Sequence, residues 1–551
     1  MNDLQNKLKA IIKGDVLEDE ETLKTYSHDA SIFEVKPQVV VFPKDTEDLK
    51  ALVKFVNENK GSDTSLSLTA RSGGTDMGGG SINDSIIVGF EKYFNHIISV
   101  DKTKATAQPG VFYRDFEKET LKHDSIFPSY PASREICAIG GIVNNNSGGE
   151  KSLAYGKTEN YVKKLKVVLS DGNEYTLEPL NKQQLDEKIK QNNFEGQIYR
   201  KIFDLITNNL SLIADAKPRV SKNSAGYYLW NVYDKENETF DLTKLFVGAQ
   251  GTLGFVTEAE IGLVPVKKHA EMMILFVHDL THLGEIINTV LPLKPDTFEA
   301  YDDNTLKLAL KFFPEFAKLL GTKGTIRTAL AFLPEFLMTI TGGLPKLILQ
   351  VDFQSDSKEE LNLKIGKLKE ALKPLRLKTR IADNETKELK YWLIRRESFN
   401  LLRQKIHDKH TAPFIDDFVV LPQYLPEFLP RLNKILKKYP SLISTIAGHV
   451  GDGNFHIIPL MNIEDPKQRE IIPILEKEVY DLVLEYKGSI TGEHNDGLIR
   501  TPYLKQMYGE KVYKLFEETK KIFDPQNIFN PRKKVGGSLE YSTNHIRTNF
   551  T

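Results

Sequence analysis

The sequence predicts an α+β fold in two units, the second built on an antiparallel sheet with helices on one face. Three observations carry this reading. The chain has 551 residues, too many for one hydrophobic core. Up to about residue 265, short β-branched runs alternate with helical patterns, without the regular rhythm of a doubly wound sheet. Beyond it, long apolar strand patterns are separated by helical ones, the pattern of an antiparallel sheet covered on one face.

The N-terminus, MNDLQNKLKAIIKGD, lacks the apolar core of a signal peptide and predicts a short capped helix. Residues 1–34 are read as an N-terminal helical segment. Residues 38–42 (QVVVF) predict a strand, and Pro43 with Thr46, Glu47 and Asp48 opens a helix through Asn57. Strands are predicted at 66–70, 85–90, 97–101 and 104–109. A helix is predicted over 111–123, with Asp115, Glu117 and Lys118 on its wet side. Residues 163–169, followed by Asp171-Gly172, predict a hairpin. In the second unit, 270–276 and 346–353 predict strands, and 283–290 and 358–372 predict helices. From Pro502 a helical pattern runs to Phe523, where Asp524-Pro525 stops it. The polar tail, 535–551, is expected to be extended or disordered.

The formal net charge of -1 gives no electrostatic footprint for nucleic acid. Lys-rich stretches such as 361–380 alternate with apolar residues at helical spacing and read as solvated helix faces. One cysteine, Cys137, excludes an internal disulfide and a cysteine-ligated iron–sulfur cluster. The most apolar stretch, 329–349, contains Pro334, Glu335, Gly342, Gly343, Pro345 and Lys346, which argue against a membrane span. With 306–320 it reads as helices packed inside a domain, the alternative being a surface that touches a membrane or a partner. The expected location is cytoplasmic, with peripheral membrane contact as the variant. The sequence gives no oligomeric state.

Three glycine-rich segments stand apart from any packing requirement. Residues 71–81 (RSGGTDMGGGS) lie between two predicted strands, where successive main-chain N–H groups can form a concavity for phosphate oxygens. The segment is neither a P-loop nor a GxGxxG fingerprint. Residues 128–149 (PSYPASREICAIGGIVNNNSGG) bring backbone close to a large, flat, polar ligand, and Tyr155-Gly156 follows. The third is 248–257 (GAQGTLGFVT). Together they suggest a flavin site.

The order RSGGT, PSYPAS, IGGIVNNNSGG, YGKT, GAQGTLGFVT resembles the FAD-linked oxidase family of the vanillyl-alcohol oxidase type, from about Val35 to Lys533. The branch it resembles includes D-lactate dehydrogenases, the glycolate oxidase flavoprotein subunit and D-2-hydroxyglutarate dehydrogenase. The resemblance implies a two-subdomain, PCMH-type FAD-binding domain at 35–265 and a substrate, or cap, domain at 266–495. A C-terminal helical return to the FAD domain is implied at 496–534. The implied cofactor residues are Arg71, Ser72, Gly73, Gly74, Thr75 and Asp76 in the first loop. The second supplies Pro131, Ala132, Ser133, Gly140, Gly141, Asn144, Asn145, Ser147, Gly148 and Tyr155. Gly251, Thr252, Val256 and Thr257 form the third set, and Asn530 returns from the C-terminus. No His stands in the first loop, so non-covalent FAD is expected.

A second signal is HVGDGNFH, residues 449–456. Two His seven apart are separated by over ~20 Å on a strand and about 10 Å on a helix, so only a turn makes them converge. The glycines between them supply it. Gly492-Glu493-His494 adds a carboxylate and a third imidazole. Such a set suits a divalent metal such as zinc, manganese or iron. The motif resembles the HxGDGNxH element of the lactate and hydroxyglutarate branch, and GEHND resembles GEHG, with Asn495 in place of Gly. By that resemblance His449, His456 and Glu493 are metal ligands and His494 is the catalytic base. Trp392 to Arg395 resembles a WxxR element that holds a substrate carboxylate. Arg395 fits its spacing, with Arg396 one residue away, and Lys405 or Lys409 could add a second charge.

The activity implied is oxidation of a D-2-hydroxy acid to the 2-oxo acid, with hydride transfer to flavin N5 and metal-assisted loss of the hydroxyl proton. The expected electron acceptor is a quinone, an electron-transfer flavoprotein or an iron–sulfur partner. The alternatives are a non-redox transferase of the alkyl-dihydroxyacetone-phosphate synthase type and a non-catalytic flavoprotein subunit.

Overall fold

The computed structural model describes residues 3–311, 343–382, 387–395, 409–443 and 445–549. The expectations for most of 306–320 and 329–349, and those for Arg396 and Lys405, fall outside these residues.

The fold is α+β, and among the described residues three of its sheets have four or more strands. The first has four strands, β1 (Asp15–Leu17), β2 (Val39–Phe42), β3 (Leu68–Arg71) and β4 (Ile86–Gly89), in the order β1-β2-β4-β3. β2 and β3 both run parallel to β4, while β1 is antiparallel to β2. The parallel step requires a crossover, which the helix Thr46–Asn59 supplies. Asp45 caps it by accepting from Asp48 N–H, and Leu49, Leu52, Val53 and Val56 face the sheet. The segment 1–34 is therefore not purely helical: it holds the helix Asp3–Lys9 but also contributes an edge strand.

The second sheet is antiparallel throughout. Its strands are β5 (Ile97–Val100), β6 (Lys104–Ala107), β7 (Val162–Val168), β8 (Glu174–Leu177) and β9 (Phe255–Gly262), in the order β5-β6-β9-β7-β8. The helix Tyr113–Leu121 packs nearby, but Glu117 is buried rather than wet. It pairs with Arg134, which lies over the Tyr130 ring. A buried carboxylate needs such a partner.

The third sheet has seven strands: β10 (His269–Val277), β11 (Thr297–Asp302), β12 (Leu347–Ser355), β13 (Lys378–Ala382), β14 (Phe418–Val419), β15 (Ile446–His449) and β16 (Asn454–Ile457). Their order is β13-β10-β12-β11-β15-β16-β14, all antiparallel. One face buries Met273, Leu275, Phe298, Leu349 and Val351 against helices Leu283–Val290 and Lys358–Leu372. The lysines of the latter helix point to solvent while Leu361, Ile365 and Leu368 are buried. The opposite face carries a smaller apolar layer, Met272, Ile274, Tyr301 and Ile348 with Tyr391 and Ile394. Period-two alternation puts Glu299, between Phe298 and Ala300, on this second face.

The C-terminal stretch returns to the first sheet. Leu68 and Phe529 form a parallel bridge, and Leu68 N–H donates to the Ile528 carbonyl. The tail is not extended. It forms the helix Leu539–Asn544, and Ile546 is buried, forming a bridge with Phe33. Ser538, capping this helix, is the start signal that a reading of the tail as merely polar passes over. Among the described residues no helix is long and apolar enough to cross a membrane.

Candidate active site

The hairpin β15–β16 places the first two imidazoles. His449 pairs with Asn454 and Ala447 with His456, so alternation puts His449, Asn454 and His456 on one face. Their rings come to 5.2 Å between centroids. The turn needs its glycine: Gly453 has φ +67°, and a Cβ there would lie 1.7 Å from the Val420 carbonyl oxygen.

Asp417 places the third. Its Oδ2 accepts from the backbone N–H groups of Glu493 (2.9 Å) and His494 (2.7 Å) and from the Thr491 hydroxyl (2.5 Å). Its Oδ1 accepts from Asn454 Nδ2 at 3.0 Å. Asn495, where the resembling motif has Gly, adopts φ +68°, a conformation that Asn tolerates. Its amide donates to the carbonyls of Asn145 (3.1 Å) and Gly248 (3.0 Å).

The three imidazoles converge on Glu493. Its Oε1 lies 3.2 Å from His449 Nε2, 3.3 Å from His456 Nε2 and 3.9 Å from His494 Nε2. Each Nδ1 is held from behind: His449 by Glu299 Oε1 at 2.6 Å, His456 by the Asp416 carbonyl at 2.7 Å, and His494 by Asp416 Oδ2 at 2.7 Å. Glu493 Oε2 is 3.1 Å from Lys222 Nζ, which also lies 3.3 Å from Asp452.

Charge follows from these contacts. Burial opposes ionisation of Glu493, but Lys222 and His449 outweigh it and hold the carboxyl well below its usual range. Burial likewise opposes protonation of His449 and His494. Glu299 and Glu493 together outweigh it at His449, and Asp416, Asp417 and Glu493 at His494, raising each to about 9. At His456 burial prevails and the pKa falls.

The donor set fits a divalent cation. Three imidazole nitrogens face one carboxylate oxygen, and every ring is oriented by a second partner, as metal-ligating histidines are. Asp417, His456, Glu493 and His494 present possible ligand atoms within 4.8 Å of one another. The Asp417 oxygens, however, already accept four protein donors, which makes it a brace for the Glu493–His494 backbone.

Arg395 lies on the Glu299 side of the sheet, with Nη2 3.3 Å from Glu299 Oε2. Among the described residues its buried Nε has no acceptor, which suits it to a carboxylate. Lys409 instead donates to the Ser441 carbonyl.

The glycine segments meet this cluster. Asn145 Nδ2 donates to the Glu493 carbonyl at 3.0 Å, while its buried Oδ1 has no partner among the described residues. A Cβ on Gly148 would come within 3.3 Å of Glu493 Oε2. Ser147 receives Ser129 and Thr158 hydroxyls on its carbonyl. Asn144 ties the second segment to the third, accepting Gly251 N–H on Oδ1 and donating to the Gly140 carbonyl. Gly140 packs on Pro109, and Gly141 on the Ser72 hydroxyl. Pro131, Ala132 and Ser133 form a partly exposed turn, and Gly73 packs on the backbone of Ile136 and Cys137.

The first loop fits a phosphate-bearing cofactor. Among the described residues, no protein acceptor serves the backbone N–H groups of residues 72–77, which include Ser72, Gly73, Gly74 and Thr75. Such a row of free donors is an anion cradle. Several expected cofactor residues use their side chains internally instead. Arg71 donates to the His28 carbonyl, and Asp76 accepts from Gly78 N–H and the Gln250 amide. Burial, reinforced by Asp29, pushes the Asp76 carboxyl up to about 6. The Thr252 hydroxyl pairs with Tyr227, and that of Thr257, next to buried Val256, with Glu174. Asn530 bonds the carbonyls of Gly80 and Gln250, so it joins the first and third segments. Tyr155 is half-buried, its carbonyl accepting from the Tyr161 hydroxyl. Burial pushes the lone thiol of Cys137 up to about 12.

Sequence reasoning missed Glu299, Asp416, Asp417, Lys222 and Arg500. The signal for the aspartates was present, as two adjacent acids inside the apolar run 414–420 (FIDDFVV). Nothing local marks Lys222.

Comparison with known proteins agrees with this architecture. Residues 266–534 match the model for the FAD linked oxidases, C-terminal domain, and residues 37–178 that for a FAD binding domain. The D-2-hydroxyglutarate dehydrogenase of Pseudomonas putida is 26% identical over 95% of this chain and 50% of its own length. The glycolate oxidase subunit GlcD of Bacillus subtilis is 26% identical over 92% of this chain and 91% of its own. The chain thus spans about half the length of the first of these relatives. Among solved structures, the 4-ethylphenol oxidase of Gulosibacter chungangensis superposes with a TM-score of 0.68 at 15% identity, over 97% of both chains, a likeness of fold alone. With one model covering the first two glycine segments and the other the imidazole cluster and the C-terminal return, the chain belongs to the FAD-linked oxidases.

Proposed function

We propose that the protein oxidises a D-2-hydroxy acid of the lactate, glycolate or 2-hydroxyglutarate kind to the 2-oxo acid and passes the electrons to a separate acceptor. The observation that carries this reading is the convergence of His449, His456 and His494 on Glu493, beside Asn145 and Gly148 of the glycine segments. Relatives named D-2-hydroxyglutarate dehydrogenase and D-lactate dehydrogenase support it.

When bound, FAD supplies the hydride acceptor, and a divalent ion supplies a Lewis acid for the hydroxyl oxygen. His449, His456 and Glu493 are the residues that would hold the ion. Residues 72–77 would hold the pyrophosphate through backbone N–H. The chain's own work is to orient and to move a proton. Arg395 offers its free Nε to the substrate carboxylate, fixing which carbon faces the ring. In its neutral form, which a cation beside it would favour over the imidazolium, His494, directed by Asp416 at Nδ1, takes the hydroxyl proton at Nε2. The cluster stays largely buried, with His494 19% exposed, which keeps water from competing.

The test is anaerobic mixing of FAD- and metal-loaded protein with a panel of 2-hydroxy acids. Bleaching of the flavin band by one D-acid and not its L-enantiomer is expected. No bleaching by any acid would reject the redox reading and favour the transferase alternative. Added quinone, electron-transfer flavoprotein or an iron–sulfur protein then identifies the acceptor by which one restores the colour.

A further inference from the structure

We propose that Asp416 is the positioning residue of the site, fixing two imidazoles through one amino acid: its carboxylate holds His494 Nδ1 and its main-chain carbonyl holds His456 Nδ1. The proposal rests on the reading of His494 as the base. Asp416 is fully buried, as is Arg500, which donates to its second oxygen, Oδ1. Arg500 is itself tied to the Asn495 carbonyl at 3.0 Å. The neighbouring Asp417 fixes the backbone that carries His494. Asp416 and Asp417 thus divide the task, one setting the ring and the other the chain.

The tautomer follows from donor and acceptor arithmetic. A backbone carbonyl is only an acceptor, so His456 must carry its proton on Nδ1 and present a bare Nε2. A carboxylate whose other oxygen is taken by a guanidinium is also only an acceptor, so His494 carries a proton on Nδ1 too. In the neutral rings, the form that a neighbouring cation would favour, both Nε2 atoms face Glu493 (3.3 and 3.9 Å), one available to a cation and the other to a substrate proton.

Asp416→Asn separates the two functions. The Arg500 guanidinium has no acceptor, so the new amide must turn its oxygen to Arg500 and its NH2 to His494. Nδ1 then has to accept, and the proton moves to Nε2. The His456 contact, made by the main chain, is unchanged. Turnover should therefore fall on the order of 10³–10⁴-fold, as when an Asp-to-Asn change inverts a catalytic imidazole. Metal content by elemental analysis and KM should stay within about threefold of wild type. A purely structural role would lower metal content and turnover together, and that result would overturn the proposal. So would turnover within about threefold of wild type.

Histidine-selective 15N spectra of the metal- and FAD-loaded wild type decide the matter even if the variant does not fold. An Nδ1–H tautomer at His494, assigned through His494→Gln, supports the proposal, and an Nε2–H tautomer overturns it. Turnover retained in His494→Ala would instead remove the base reading. Turnover lost in His494→Ala but retained in Asp416→Asn would remove only the role given to Asp416.

Discussion

Glu299 orients His449 from a strand that contributes nothing else to the cluster, so it isolates what a supporting carboxylate does. Glu299→Gln keeps the shape but removes the charge that favours the bond to His449 Nδ1. Metal affinity, measured by competition with a chelator, should fall about 10–100-fold. An unaltered affinity would show that His449 needs no such support. The residues named from the motifs, His449, His456, Glu493 and His494, were legible because a glycine turn and a GEH triplet need no tertiary knowledge. The lysines were not. Lys157, Lys520 and Lys534 are buried, and each donates to three acceptors, at least one of them from a distant segment: Lys157 to Asn223, Ser224 and Gly492, Lys520 to Thr252, Asp524 and Phe529, and Lys534 to Ser224, Gly226 and Asp496. A buried ammonium persists only when paired in this way. A lone Lys in a sequence reads as surface, because most of its partners here lie tens to hundreds of residues away.

At the scale of elements, strands and helices with strong periodicity were legible to within a few residues, as Thr46–Asn59 and Lys358–Leu372 illustrate. What sequence periodicity hides is polarity inside a buried element. The helix Ile471–Glu485 buries Glu476, which accepts a hydrogen bond from the Tyr503 hydroxyl at 2.9 Å and so ties this helix to the C-terminal return. Burial pushes its carboxyl up to about 8, against the opposing pull of Tyr503 and Arg500. The folded state thus keeps a proton that the unfolded chain loses near the ordinary glutamate value of 4.5. The stabilisation is full below that value and declines as pH rises towards about 8. Glu476→Gln stays neutral and keeps an acceptor for Tyr503. Thermal melts from acid to alkaline pH should show a shallower decline for the variant than for wild type. Equal slopes would mean that this carboxyl does not titrate as its surroundings imply.

Across the whole molecule, the site exists only because distant stretches are brought together. Glu493 and His494 close on Asn145 and Gly148, Asn530 joins the first glycine loop to the third, and the tail fastens the N-terminal segment through the Ile546–Phe33 bridge. That segment in turn supports the first loop, with Ala30 N–H donating to the Asp76 carbonyl and Phe33 packed against Gly79. Deleting 538–551 should therefore remove about 1.5–3 kcal/mol of burial at Ile546 alone and weaken FAD binding in fluorescence titrations. Unchanged FAD affinity would confine the tail to a local role. The sequence made the two-unit plan legible but not these long-range ties, since hydrogen bonds between residues hundreds of positions apart leave no periodic trace. The central claim is that a cation site and a flavin site adjoin. Anomalous diffraction at the zinc edge, from crystals grown with FAD and Zn²⁺, tests it most directly. The account predicts a zinc peak among His449, His456 and Glu493, with the isoalloxazine ring beside it and the pyrophosphate on residues 72–77. A zinc peak elsewhere, or a ring remote from these imidazoles, would contradict it.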